Sequence, residues 1–211
     1  MTLSGSGDHA GGSDLRLPAG ESPRTVEAWV RFVDSSREMY AVSWGTLGQN
    51  QACMLGVDRG RAVITQIGDS IHGPMLSTGQ WHHLAAVYDG TYHLYVDGEL
   101  AGEKAMATMT TVGPGPRIGN SVYGQDKPFA GDLDEVRIWS RALSASEVAG
   151  QRRMVFSQPP AELVAAYDFE VMGSGAGIVI PNRGSLGAGV NLLTRSGPSG
   201  SGPSFGPGGA F

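Results

Sequence analysis

With 211 residues, 40% of them hydrophobic and 17% charged, the chain has enough apolar material for a packed core and none of the charge excess of disordered sequences. A formal charge of −5, with no basic run longer than Arg152-Arg153, excludes the electrostatic footprint of a nucleic-acid binder. No segment nears the roughly 20 consecutive apolar residues that span a bilayer, and the lone Cys53 rules out an internal disulfide.

In chain order, the first strong element is RTVEAWVRF (Arg24 to Phe32). Val26, Ala28, Val30 and Phe32 alternate with Thr25, Glu27 and Arg31, the period of a half-buried strand, with Trp29 as the exception. MYAVSWG (39–45), QACMLGV (51–57) and RAVITQI (61–67) follow at short intervals, with a turn at Asp58 to Gly60. From Trp81 to Ala105 the dipeptides Asp89-Gly90 and Asp97-Gly98 divide the chain into three antiparallel strands, because Asp-Gly suits the positive φ of a tight hairpin turn. FAGDLDEVRIWSRAL (129–143) holds a further strand. Ser144 and Glu147 form a capping box that predicts one short helix near 144–154. AELVAAYDFE (161–170) returns to strand character, and residues 171–211 turn rich in Gly, Ser and Pro, the composition of a linker or of an extension packed on the domain or on a partner. The 33 glycines and 12 prolines thus read as turns between strands, and no internal repeat points to a propeller or solenoid. The expected fold is all-β, a two-sheet antiparallel sandwich over residues 1–170 followed by the 171–211 extension.

The succession TVEAWVRF, WHHLAAVYDGTYHLYVDGELAG and RIGNSVYGQDKPFAGDLDEVRIWSRALSASEV resembles the laminin-G-like jelly-roll domains of the concanavalin A-like lectin and glucanase superfamily. The likeness extends over roughly residues 1–155, with Leu3 to Ala10 similar to the opening strand of such domains. It implies two antiparallel sheets of about six or seven strands, one face of them concave. It leaves function open, since the fold hosts lectins, adhesion modules, glucanases and lyases alike.

Glucanases of this fold carry Glu-x-Asp-x-x-Glu on one strand to set two carboxylates about 5 Å apart. Here the acidic cluster Asp132, Asp134 and Glu135 has other spacing and falls in the strand that resembles the family's last, so no catalytic residue is assigned and the chain is not expected to be an enzyme. Asp132 and Asp134, read in alternation, share a face with Val136 and Ile138, so one or both carboxylates point inward and need partners there. The resemblance implies a structural calcium ion at Asp134, with Asp8 as the N-terminal ligand. A salt bridge to Arg137 or Arg141, or hydrogen bonds from backbone amides, would serve Asp134 equally. His82 and His83 read as strand-packing residues, and His9, His72 and His93 as surface or loop residues.

A sugar has an apolar C–H face and a polar rim, which calls for an aromatic platform beside amide side chains on loops. The candidates are Trp44, Gln49 and Asn50 in SWGTLGQNQ and Asn120, Tyr123 and Gln125 in GNSVYGQD, while Trp29, Trp81 and Trp139 read as core. The leading expectation is noncatalytic glycan recognition, possible structural calcium included. A second is a structural, adhesion or assembly subunit of a larger particle, of phage-tail or injection-system type, acting through protein partners. A third is a divergent glucanase or polysaccharide lyase. Residues 1–20 lack the basic start and apolar centre of a signal peptide, which fits cytoplasmic synthesis with assembly into a particle, or secretion with the signal missing.

Overall fold

A computed structural model describes residues 1–12, 17–46, 48–49, 51–105, 115–122, 127–198, 202–206 and 210. In chain order the strands are β1 (Thr2–Ser4), β2 (His9–Gly11), β3 (Arg24–Phe32), β4 (Glu38–Gly45), β5 (Ala52–Asp58), β6 (Arg61–Gln66), β7 (Asp69–Met75), β8 (His82–Tyr88) and β9 (Tyr92–Val96). There follow β10 (Glu99–Lys104), β11 (Arg117–Ile118), β12 (Ala130–Trp139), the helix α1 (Ala145–Gln151), β13 (Leu163–Tyr167), β14 (Gly173–Ser174), β15 (Val179–Ile180), a 3-10 turn at Gly187–Val190, β16 (Leu192–Arg195) and β17 (Ser204–Phe205).

These strands form two antiparallel sheets. The first runs β10-β9-β8-β3-β12-β1-β17-β14, with β13 also paired to β12, and the second runs β15-β16-β2-β11-β4-β5-β6-β7. The opening segment therefore splits: Leu3 lies in the first sheet and Ala10 in the second, and Gly5 and Gly7, at φ of +78° and +99°, turn the chain across. Between the sheets sits one core that includes Leu3, Ala10, Val26, Val30, Phe32, Leu55, Ile64, Leu84, Ile118, Phe129, Leu133 and Ile138. The hairpin at Asp97-Gly98 forms as its sequence demands, with φ of +53° and +91°.

The Gly-rich C-terminal extension is built into both sheets. β16 lies against β2, with Leu193 opposite Gly11 and Arg195 opposite His9, while β17 pairs with β1 through Ser204 and Thr2. A linker composition is overridden here by backbone pairing, and Asn182 and Gly197 add hydrogen bonds to Ala166 and Asp8 that need no large side chains.

β12 departs from simple alternation. Leu133, Val136 and Ile138 all reach the core, because a bulge between Asp134 and Arg137, with Glu135 at φ +46°, shifts the strand by one residue. Asp132 and Asp134 therefore share the face opposite Leu133, which corrects the expectation that they point inward with Val136 and Ile138. Beyond the bulge, the outer face of the first sheet is roofed by α1 and the segment after it. There Ala85, Val87, Tyr95, Trp139, Leu143, Val148 and Leu163 form a second apolar cluster. Beneath the roof Glu27 and Arg137 are fully enclosed with His83 and Trp139.

The helix carries the predicted capping box, Ser144 accepting from the Glu147 amide and Glu147 accepting from the Ser144 amide at 2.8 Å. Hydrogen bonds from Arg141 first, then from Ser144, hold the Glu147 carboxyl at about 2. A lowered value means that this contribution is complete above the ordinary 4.5 and is lost as pH falls toward 2. Glu147→Gln should accordingly flatten the acid limb of a stability-against-pH curve in that window. Equal slopes for the two proteins would contradict it.

Candidate functional site

The outer face of the second sheet holds a hollow of about 310 Å³, lined by His9, Gly11, Gly12, Gly45, Gly115, Pro116, Arg117, Val122 and Arg195. Strand pairing makes it. Arg195 of β16 stands opposite His9 of β2, and Arg117 of β11 stands opposite Gly11, two residues further along β2. Two residues along a strand return to the same face roughly 7 Å on, so the basic side chains flank a floor of small residues. The neighbours in sequence, Ala10 and Ile118, go into the core. A Cβ added at Gly11 would meet nothing nearer than 3.9 Å, so the missing side chain is what leaves the hollow open.

Its electrostatics stand out in a chain of charge −5. Arg117 donates to the Ser121 carbonyl at 3.0 Å, and among the described residues neither Arg117 nor Arg195 has an ion-pair partner. Burial, and then the charge of Arg195, pull the Arg117 guanidinium below its ordinary value. His9 Nδ1 donates to the Gly7 carbonyl at 2.9 Å, since a carbonyl can only accept. Burial lowers the value of this imidazole, and Arg117 and Arg195 add to the effect. His9 is thus buried at the hollow and is no isolated surface residue, contrary to expectation.

The expected sugar-contacting residues are placed differently. Trp44 is 4% exposed and packs in the central core, so its ring has no free face for a sugar. Asn120 is fully buried, its Oδ1 accepting from the Ser121 amide at 2.8 Å while its carbonyl accepts from the Ser43 hydroxyl at 2.7 Å. Gln49 is exposed, over the β6–β7 turn at Gly68. Asn50, Tyr123 and Gln125 lie outside the described residues. The loop that follows β11 nevertheless borders the hollow through Val122 and the Ser121 carbonyl. Arg117, Arg195, His9 and Gly11 escaped sequence reasoning. Alternation could have pointed Arg117 away from Ile118, but no local signal brings residue 195 beside residue 9.

A smaller hollow of about 180 Å³ lies on the first sheet, lined in part by Arg31, Trp81, Asp132, Asp134 and Ser204. Trp81 is half-buried here and not in the core, and the Arg31 guanidinium covers its ring at 5.0 Å. Asp132 accepts from Arg31 at 2.8 Å and from Thr2 at 2.6 Å. These groups already satisfy one another, unlike the arginines on the opposite sheet.

The two expected calcium ligands are engaged by hydrogen-bond donors. Asp8 accepts from the Ser4 hydroxyl and from the Gly197 amide at 2.9 Å. Burial raises its carboxyl, but these bonds hold it below the ordinary value. Asp134 accepts from the amides of Glu135 at 2.9 Å and Ala210 at 2.8 Å. Calcium takes about six to eight oxygens, and among the described residues no group of three or more His, Cys, Asp or Glu is placed to hold a metal ion. Calcium therefore stays an expectation of the resemblance alone.

Residues 4–149, more than half of the chain, match the family model Laminin_G_3, described as concanavalin A-like lectin/glucanases superfamily. The chain belongs to this family. A search of the curated proteins finds no match. Among solved structures, a candidate carbohydrate-binding protein from Bacteroides ovatus superposes on this laminin-G-like domain with a TM-score of 0.67 at 21% identity, over 89% of this chain and 56% of that one. The domain thus spans a little over half of that relative. Domain 4 of AbnA, an extracellular arabinanase from Geobacillus stearothermophilus in complex with arabinotriose, gives 0.56 at 20% identity, over 72% of this chain and 75% of that one. The Ruminococcus gnavus IT-sialidase CBM40 bound to α2,3 sialyllactose gives 0.55 at 17% identity, over 71% and 94%. At these identities the likeness is one of fold, and it agrees with the two-sheet jelly roll expected from the sequence.

Proposed function

We propose that this laminin-G-like domain is a noncatalytic saccharide-recognition module whose binding site is the hollow between β16, β2, β11 and the end of β4. The observation that carries this reading is the hollow itself. Its floor of glycines lets a ring approach the backbone, Pro116 and Val122 offer apolar contact, and His9, Arg117 and Arg195 offer polar contact at the rim. Its volume of about 310 Å³ suits a ligand of one or two sugar rings. Support also comes from the fold neighbours, two of which hold saccharides in their own structures. Among the described residues no pair of carboxylates lines the hollow, and recognition without bond cleavage suits the groups that are placed there.

The test is a glycan array followed by titration calorimetry on the full chain and on Gly11→Leu. The added side chain grows into the hollow from a backbone that accepts it, so the variant should melt like the parent and lose binding at least about tenfold. A blank array, or unaltered binding by Gly11→Leu, would sink the proposal.

A further inference from the structure

We infer that the saccharide taken by this hollow carries a carboxylate, held between Arg117 and Arg195 while the sugar body lies over Gly11 and Gly12. This inference rests on the saccharide reading and adds the chemical class of the ligand.

The argument begins with the unbalanced charge. Arg117 is half-buried, projects from the middle of the sheet and faces Arg195 without an acid between them among the described residues. Two like charges brought together at a partly desolvated site are mutually unfavourable, and an anion placed between them turns that repulsion into attraction. Among the other described arginines Arg31, Arg37, Arg59, Arg137, Arg141 and Arg183 each have a carboxylate, whereas Arg61, Arg152 and Arg153 have no ion pair but do not face a second arginine across a concavity. The two that line this concavity lack a carboxylate.

The geometry then selects the anion. The arginines come from strands on either side of β2, so long side chains converge from opposite flanks on one small volume and do not form a stripe. A phosphate backbone would need an extended basic track, whereas the described lining of this hollow offers two arginines and one histidine in one small volume. A guanidinium fork matches a planar carboxylate through two parallel N–H···O bonds. His9 borders the same space at the level of Arg195, and its Nδ1 is already committed to Gly7, which leaves the Nε2 edge for a sugar hydroxyl. The glycine floor allows the ring carrying the carboxylate to lie close against β2.

Calorimetry on the full chain tests this with α2,3 sialyllactose and an oligogalacturonide, their carboxyl-reduced counterparts, and sulfated lactose as probes. A carboxylate probe should bind at least about tenfold more tightly than its reduced counterpart, the scale of one charge-assisted hydrogen-bond pair. Arg195→Gln, at an exposed position, should remove most of that advantage while sparing the melting temperature. Arg117→Gln should do the same, with Arg117→Lys as the second variant if the glutamine disturbs the bond to Ser121. Arg31→Gln, on the other sheet, should change nothing.

Equal affinity for carboxylate and reduced probes, with binding still blocked by Gly11→Leu, would overturn the inference and leave saccharide recognition standing. Preference for the sulfated probe alone would overturn it as well. Absence of binding to every saccharide would remove both claims.

Discussion

Arg137→Met should lower the stability of the domain by about 3–5 kcal/mol in urea unfolding, the cost of stranding a buried carboxylate. Glu27 has no exposed surface and lies under the roof formed by α1 and the segment after it. It accepts from the Trp139 indole at 2.9 Å and the His83 ring at 3.2 Å, with the Arg137 guanidinium 3.9 Å away. Burial pushes the Glu27 carboxyl up, but His83 and Arg137 together hold it below its ordinary value, so the group stays ionised. Arg137 also donates to the carbonyls of Gln151 and Met154 and pairs with Glu135, and thereby fastens the roof to the sheet. Methionine fills much of the volume and keeps none of these bonds. If the loss arises from the uncompensated charge, Glu27→Gln in the same chain should restore part of it, because both charges then leave together. A single-variant loss below about 1 kcal/mol would contradict the account.

The second large effect separates two glycines of the same hollow. Gly45→Ala should cost about 2–4 kcal/mol and also weaken ligand binding, combining strain at positive φ with overpacking. Gly45 has φ +105°, and a Cβ there would stand 2.0 Å from the Gln51 carbonyl oxygen, a backbone atom that cannot yield without opening the β4–β5 hairpin. Gly11→Ala, by contrast, should change stability by less than about 0.5 kcal/mol, since its Cβ meets only ordinary contacts. Thermal melts of the two variants side by side provide the comparison. Similar losses in both would mean that the hollow is held open by something other than these backbone conformations.

Local chemistry made much of the fold legible in advance. The positive φ at Asp97-Gly98 and the box between Ser144 and Glu147 are written in a few adjacent residues, and the structure follows them. The alternation of Val26, Ala28, Val30 and Phe32 likewise placed one face of β3 in the core. Where reading stopped was at relations over long separations. The bulge at Glu135 changes which face Asp132 and Asp134 occupy, and nothing in the sequence DLDEVRIW marks it, since a non-glycine residue adopts the left-handed conformation there. Trp44 suits a sugar platform by residue type and its place beside a loop, but the inner face of β4 claims it for the core. Arg195 sits in a segment whose composition reads as linker, and its place beside His9 is decided only when β16 docks on β2.

That docking ties the hollow to a part of the chain outside the family match. The family match stops at residue 149, whereas Arg195 comes from β16, well beyond it. The matched region thus supplies the floor and one wall of the hollow, and a strand beyond it supplies the other. The segment beyond residue 149 also gives Val164, Tyr167, Ile180, Val190 and Leu192 to the core, so a change in that wall of the hollow is at the same time a change in the packing between the sheets.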